Sequence, residues 1–481
     1  MLPCADTAKL GRPYIWLFIY IMFSGALYYL VTNFPMGQVH VVEPGVVDAY
    51  IPLLPLSVPL YLSYALLMPV LVYLGRHSDW LLPAFFAGAL AVAACLVCHL
   101  FWPSLIVRAD TESEWLKWLY RIDAPLAASP SGHIALPVAI NLVLGALRVR
   151  QAWLFTAWSL VLMVTVMTTG QHVFADVLHG AAVGLASGGA VVLLKRYAVD
   201  LRTMGAITLE WICIIVTLRV ALYLADWRWY LLAGVIIGAR QHALFILYHD
   251  ATHYLLTRRR TANDFLINMA IGVPGLVPVE FYRPLHLEHH RHTGTAKDPE
   301  RLILYHQQPW NFRPLAAKQL ARQLLGDLLL VNTLRNLRAY KASGGAPPPI
   351  TRPLTAAAIT WLLLLTFLGW NCGAQTLGPL FMLWFIPLGT LVPLLQKIRS
   401  IVEHRGPTGG ARDVHESTNA WQGGYIGRFF IWPYHINLHL QHHRTASIPW
   451  HRLPAAVMPG DLLMPSRALP AVLWSGWRAK D

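Results

Sequence analysis

Charge is what this sequence has least of. Asp, Glu, Lys and Arg make up 13% of its 481 residues, and the acids are the scarcer, 24 against 38 basic residues. Soluble globular domains carry about 25% charged residues, so an ordinary water-facing surface around one core is excluded. Cysteine is scarce too: Cys4, Cys95, Cys98, Cys213 and Cys372 are the five. Only Cys95 and Cys98 stand close, inside an apolar run and with no second pair. They read as small apolar helix residues, and no disulfide framework is implied. The first apolar run, Tyr14 to Thr32, lacks a clear small-residue cleavage site and is expected to stay as a membrane span. The net charge of +14 lies mostly in short loops between apolar runs, where it sets topology, so nucleic-acid binding is not expected.

Hydrophobicity takes the place of charge, at 56% of residues with a mean hydropathy of +0.46. About 20 apolar residues cross a bilayer core of about 30 Å. Ten spans are expected, over 14–32, 55–75, 80–102, 133–147, 152–169, 173–194, 205–225, 229–248, 354–372 and 376–396. The stretch 265–279 is apolar but broken by Gly272, Pro274, Gly275 and Pro278, which reads as re-entrant or interfacial backbone. With Lys9 and Arg12 placed in the cytoplasm, Arg76, Arg148, Arg150, Lys195, Arg196, Arg202 and Arg258 to Arg260 also fall inside. That agrees with the bias of basic residues toward cytoplasmic loops. The outside loop 103–132 is the exception, with Arg108, Lys117 and Arg121.

A boundary near 195–205 separates six spans from four, giving domains over 1–200 and 201–481. The Pro and Gly cluster from Gly344 to Pro349 marks a linker. Before it, residues 315–340 carry leucines at helical spacing with Lys and Arg between them. This predicts one amphipathic helix, lying on an anionic leaflet or packed like any other.

Two groups of residues carry chemistry. The loop before the fourth span ends in Pro130, Ser131, Gly132 and His133, and the one before the sixth holds His172 and Asp176. The expected topology puts both on the non-cytoplasmic face. Two imidazoles and a carboxylate there suit phosphoryl transfer, with one imidazole attacking and one protonating the leaving oxygen. Amides at Ser131 and Gly132, opening a helix, suit phosphate oxygens. PSGH followed by H-x3-D resembles the type-2 phosphatidic acid phosphatase superfamily, in particular its inositol phosphorylceramide synthase branch. So does the stretch from Asp48 to Pro55, and the likeness covers residues 10–195. The resemblance implies His172 as nucleophile, His133 as general acid and Asp176 as orienting carboxylate. The family's first motif is absent, and Val166 stands where an arginine is expected. Phosphate binding then falls to Arg121, Lys117 and Arg108 together with Ser131 and Gly132. The alternative is an inert, lipid-binding front half.

The second group is histidine. His249 and His253 are spaced i, i+4; His286, His289 and His290 are spaced i, i+3, i+4; His439, His442 and His443 repeat that pattern; and His404 follows the tenth span. On a helix these spacings place the imidazoles on one face. Nine imidazoles suit two metal ions, and ligand type alone leaves Fe, Zn, Cu and Ni open. A structural zinc site needs four ligands and usually takes cysteine, and none lies near. The pattern H-x3-H, H-x2-H-H, H-x2-H-H is that of the membrane fatty acid desaturase superfamily. HDATH, HLEHHRHTGTAKDP and NLHLQHHRTASIPWHRLP resemble bacterial acyl-lipid desaturases over residues 205–465.

That resemblance implies all nine histidines as ligands of a non-haem diiron centre that uses O2 and two electrons on an alkyl chain. Relatives hydroxylate, or oxidise carotenoid rings, with the same ligands. Asn437, His435 and His292 are expected close behind the ligands, with Glu288, Asp298 and Asp250 available to orient imidazoles. HHRTAS stands where relatives have HHLFP, and no HPGG signature of cytochrome b5 is present. A separate donor of ferredoxin or cytochrome b5 type is therefore expected. The fold expected is all-α and membrane-integral, a six-helix phosphatase-like bundle followed by a four-helix desaturase-like domain with a cytoplasmic His-box cap. In a bacterial inner membrane the phosphatase site would be periplasmic and the diiron site cytoplasmic.

Overall fold

The computed structural model describes residues 12–475 apart from 36, 124, 294, 296, 301–316, 343–346, 373 and 405–417. Cys4, Lys9 and the first part of the 344–349 linker lie outside the described residues. The described chain is mostly helical. Its strands are two short parallel pairs, His40–Val42 with Ser104–Ile106 and Ala420–Trp421 with Leu463–Met464. The contacts divide it into two compact units, Met1–Leu201 with Leu368–Gly373, and Arg202–Phe367 with Ala374–Asp481.

Among the described residues eight helices are long and apolar enough to cross a membrane: Pro13–Asn33, Pro55–Gly75, Leu81–Phe101, Phe174–Arg196, Leu201–Leu224, Trp227–Thr252, Arg352–Trp370 and Leu377–His404. The chain is a multi-pass membrane protein. The fourth and fifth expected spans are shorter apolar helices. Gly132–Ala146 and Ala152–Thr168 have 15 and 17 residues. At 1.5 Å per residue they reach roughly 22 and 25 Å, less than the hydrocarbon core. Pro55–Gly75 is also no single α-helix. Pro55–Ser57 and Ser63–Leu66 are 3-10 turns within it, as Pro55 and Pro59 remove amide donors from the ladder.

In the first unit the Phe174–Arg196 helix begins with a backbone amide, Val173 N, donating to the Asp176 carboxylate at 3.1 Å. It ends in Lys195 and Arg196, charges that suit the two ends of the helix dipole. Gly180, Gly184 and Gly188 form a stripe four residues apart, on one face. A Cβ added at these positions would meet the carbonyl oxygens of Ser131 at 2.4 Å, Ala135 at 2.6 Å and Ala139 at 2.8 Å. The stripe therefore lets the Gly132–Ala146 helix lie backbone to backbone with its neighbour, and this brings His133 to His172. Gly184→Ala should force the two helices apart and destabilise the first unit by about 1–3 kcal/mol. The check is a lowered thermal midpoint in detergent by size-exclusion chromatography; an unchanged midpoint would show that the helices do not approach so closely.

In the second unit the broken apolar stretch is a short helix, Arg260–Ile267, a π turn, Asn268–Gly272, and irregular turns up to Val279–His292. Irregular backbone in an apolar setting needs partners for its carbonyls. Three indoles supply them: Trp211 Nε1 donates to Ala270 O at 2.9 Å, Trp361 Nε1 to Met269 O at 2.7 Å and Trp384 Nε1 to Pro274 O at 2.9 Å. Asn268 closes the turn, donating to Glu280 Oε2 and accepting from Val279 N.

The helix predicted over 315–340 is two helices, Ala317–Leu328 and Val331–Ala342. They meet at Leu330, whose φ is 62°. The hinge is tied by polar contacts invisible to periodicity. Asn332 donates to Gln323 O and to Asp327, and Asp327 holds Lys397 at 2.7 Å in a buried ion pair. Leu320 is buried while Leu325, Leu328, Leu334 and Leu337 stay exposed, so the pair is anchored on one side and keeps an apolar face on the other.

Candidate functional site

Four elements of the second unit bring histidines together. The Trp227–Thr252 helix, capped by Asp226 on Arg228 N at 2.9 Å, carries His249 in its last turn, and His253 follows directly. The Val279–His292 helix carries His286, His289 and His290. His404 ends Leu391–His404, and the short His439–Arg444 helix carries the last three. Two arginines lock the parts. Arg283 makes a bidentate pair with Asp264 and donates to Thr252 O, tying the second box to the end of the first. Arg444 makes a bidentate pair with Asp461, which also accepts from Gln441, fixing the third.

The imidazoles form two groups, His249, His253, His286, His290 and His442 in one, and His289, His404, His439 and His443 in the other. Within each group one nitrogen per ring lies within 4.8 Å of all the rest. The contacts run Nε2 to Nε2: His253 to His286 at 3.0 Å, His290 to His286 at 3.1 Å and His442 to His290 at 3.1 Å. In the second group His439 lies 3.0 Å from His404 and 3.1 Å from His443. Ligand nitrogens about 2.0–2.1 Å from one ion and at right angles about it stand about 3 Å apart, so the spacing fits metal binding. His249, buried with neither ring nitrogen partnered in the protein, is an orphan that an ion would satisfy.

The proton positions agree. His286 Nδ1 lies 2.8 Å from Glu300 Oε1, and His289 Nδ1 lies 2.9 Å from both oxygens of Asp298. A carboxylate on Nδ1 places the proton there and turns the Nε2 lone pair inward. Burial, reinforced by neighbouring imidazoles, holds His286, His439, His442 and His443 well below the usual imidazole range. His253 is brought down to about 4 by burial and then by Arg283. These rings are neutral at pH 7, so an ion need not displace protons from them. Burial acts on His289 too, but Glu300 and Asp298 outweigh it and its pKa rises.

All nine histidines singled out from the sequence thus lie in the two groups, and Asp298 sits behind one of them. Of the other expected partners, Asp250 stands near a ligand ring and the rest make other contacts. Glu288 is paired with Arg291 and His292, Asp250 accepts from Trp450 N and stands 3.8 Å from His249, His435 stacks on Trp450, and Asn437 donates to Trp421 O. Three residues were missed. Glu300 holds His286; Tyr282 donates to Glu300 at 3.0 Å; Glu403 is fully buried with its Oε2 3.5 Å from His439 Nε2. Glu300 was findable, two residues beyond Asp298 in the same DPE run. Glu403 sits beside His404 and gives no signal of its own.

In the first unit His133 Nδ1 lies 3.2 Å from His172 Nε2. His172 Nδ1 stands 2.8 Å from Ala128 O. Asp176 is fully buried 3.7 Å from His172 Nδ1, its bonded oxygen on Val173 N. The expected direct bond from Asp176 to His172 is therefore not formed; the Ala128 carbonyl takes that place. Ser131 is buried at the helix start, its amide given to Asp176 O and its hydroxyl unpartnered. Gly132 opens the helix, and its carbonyl accepts from Tyr64. Two of the three expected cations are engaged in other contacts. Lys117 pairs with Glu112 and Glu114, and Arg121 is exposed. Arg108 binds Tyr120 O, Asp123 O and Gln171 Oε1, bracing the loop beside His172 rather than offering a free charge.

Comparison with known proteins assigns the second unit. Residues 225–463 match the family described as fatty acid desaturase. A β-carotene 4-ketolase of Protosiphon botryoides is 27% identical over 48% of this chain and 51% of its own. A dihydrorhizobitoxine desaturase of Bradyrhizobium elkanii is 24% identical over 60% of this chain and 79% of its own. An sn-1 acyl-lipid omega-3 desaturase (ferredoxin) of Synechocystis is 27% identical over 49% and 68%. The chain spans about half the length of the first of these relatives. No solved structure matches. The family uses a non-haem diiron centre with O2, and the two histidine groups are compatible with two iron ions. The C-terminal half of this chain holds a fatty acid desaturase domain.

Proposed function

We propose that the protein is a membrane oxidoreductase that desaturates an acyl or alkyl chain of a membrane lipid. The observation that carries this is the convergence of nine imidazoles into groups of five and four. When bound, two iron ions supply the oxidising chemistry, with O2 as co-substrate and two electrons from outside. His249, His253, His286, His290 and His442 hold one ion; His289, His404, His439 and His443 hold the other. Asp298 and Glu300 fix the ring tautomers. The likeness to a ferredoxin-dependent desaturase favours a separate ferredoxin or cytochrome b5 type donor. The domains run over 1–200 and 201–481, in a bacterial inner membrane with the histidines at the cytoplasmic face. The β-carotene ketolase likeness favours a second reading, oxygenation of a carotenoid-type ring.

Lipid and pigment mass spectrometry of a host expressing the wild type or His290→Ala separates the two. Desaturation gives a lipid lighter by two hydrogens that disappears with His290→Ala. A pigment heavier by oxygen replaces the first reading with the second, and identical profiles in both strains end both.

For the first unit the finer reading is hydrolysis or transfer of a lipid phosphate, with His172 as nucleophile, His133 as general acid, and Ser131 and Gly132 at the phosphate. It is favoured by the contact between the two imidazoles. An apolar groove of about 620 Å³ supports a lipid substrate. Leu54, Leu56, Leu60, Leu160, Val161 and Val164 line it, and an acyl chain suits it. Thr165 and Thr168 also line the groove and flank Val166, whose carbonyl accepts from His172 N.

A further inference from the structure

We propose that Asp123 and Tyr61 are positioning residues that hold a proton on His133 for delivery to a leaving oxygen. The proposal rests on the lipid-phosphate reading of the first unit. The argument is a count of donors and acceptors along one chain of contacts. The Asp123 carboxylate accepts from Tyr28 at one oxygen and from Tyr61, at 2.7 Å, at the other. A carboxylate accepting two hydroxyls acts as an ionised acceptor. Tyr61 has one proton and has given it to Asp123. Its oxygen, 2.9 Å from His133 Nε2, must then accept from that nitrogen.

At the other end Ala128 O accepts only, so His172 Nδ1, 2.8 Å away, carries the proton. The lone pair of His172 Nε2 then points at His133 Nδ1, 3.2 Å away. Two lone pairs do not attract; the contact is a hydrogen bond when His133 Nδ1 also bears a proton. His133 Nε2 thus carries a proton, and one further proton can be shared between His133 Nδ1 and His172 Nε2. Burial and the neighbouring His172 disfavour an imidazolium more than the Asp123 charge favours it, so the second proton is held on the ring once a phosphate anion lies beside it.

A phosphate ester entering between the rings takes the place of His172 as acceptor. Ser131 Oγ and Gln171 Nε2, buried donors without a partner, are free for its oxygens. His172 Nε2 bonds to phosphorus, the ester P–O bond breaks, and the His133 Nδ1 proton passes to the leaving oxygen, which departs as a neutral alcohol. Water then attacks phosphorus, the P–N bond breaks, phosphate leaves, and the water proton returns to His133 Nδ1.

The test uses purified full-length chain, with phosphate release measured from phosphatidic acid and from an aryl phosphate whose phenol leaves readily without a proton. Asp123→Asn and Tyr61→Phe should lower kcat on phosphatidic acid at least about tenfold, part of the about 10²–10⁴ supplied by a general acid. KM should stay near wild type, and so should turnover of the aryl phosphate. An unchanged elution profile and thermal midpoint in the same preparations show that the variants fold. Equal losses on both substrates, or no loss on either, overturn the relay while leaving the lipid-phosphate reading intact. A wild type that releases no phosphate from either substrate overturns that reading and the relay with it.

Discussion

Replacing His442 by alanine should cost the protein one of its two irons and lower alkyl oxidation by at least about a hundredfold. His442 is fully buried, its Nε2 is 3.1 Å from that of His290, and its ring packs 4.4 Å from that of His249. It belongs to the group of five. Deleting it leaves four imidazoles in that group. Loss of a ligand exceeds the tenfold to hundredfold cost of disturbing a residue behind one. The other group keeps its four rings, so metal analysis should fall toward one iron per chain rather than none. His443→Ala makes the reciprocal case, since its Nε2 contacts His439 in the group of four. Two irons per chain in both variants would sink the division of the nine histidines into two ion sites.

That division shows what a sequence exposes and what it hides. The boxes were legible because i, i+3 and i+4 spacing is a local rule: one turn of helix decides which side chains share a face. Which rings share an ion is not local. His286 and His289 lie on the same helix, one turn apart, yet belong to different groups, and His442 and His443 separate likewise. That sorting depends on where three other elements present their own rings, which no spacing encodes.

The supporting carboxylates follow the same logic. Asp298 could be suspected from proximity, whereas Glu403 acts across to His439, thirty-odd positions on. In the first unit His133, His172 and Asp176 were marked by their motifs, but Tyr61 and Asp123 meet only through folding. Charge in a loop says nothing of direction: Lys117 is paired with Glu112 and Glu114, which no spacing announces. Hydropathy found eight helices long enough to cross a membrane, but not the 3-10 turns inside Pro55–Gly75 or the hinge at Leu330. These are set by prolines and by polar side chains from distant elements.

Glu300→Gln carries the second large expectation, because Glu300 is the carboxylate that reaches both groups. Its Oε1 lies 2.8 Å from His286 Nδ1 in the group of five, and its Oε2 lies 4.0 Å from His289 Nε2 in the group of four. Tyr282 donates to the same Oε1 and also stands 3.3 Å from His286 Nδ1, so the carboxylate is itself held. Glutamine keeps the volume but removes the charge. If its amide nitrogen faces His286, the ring must place its proton on Nε2, the nitrogen that points at the ion. Iron affinity should fall by about tenfold to hundredfold, read as the iron retained against a graded chelator. The charge on Glu300 also raises the His289 pKa, so its loss frees that ring for metal at lower pH. The two effects oppose each other and act on different ions. Glu300→Gln should therefore release one iron early in the chelator series and hold the other, whereas Asp298→Asn, acting directly on His289 Nδ1, should loosen the other ion. If both irons leave together in Glu300→Gln, Glu300 supports the fold of the whole site rather than the tautomer of His286.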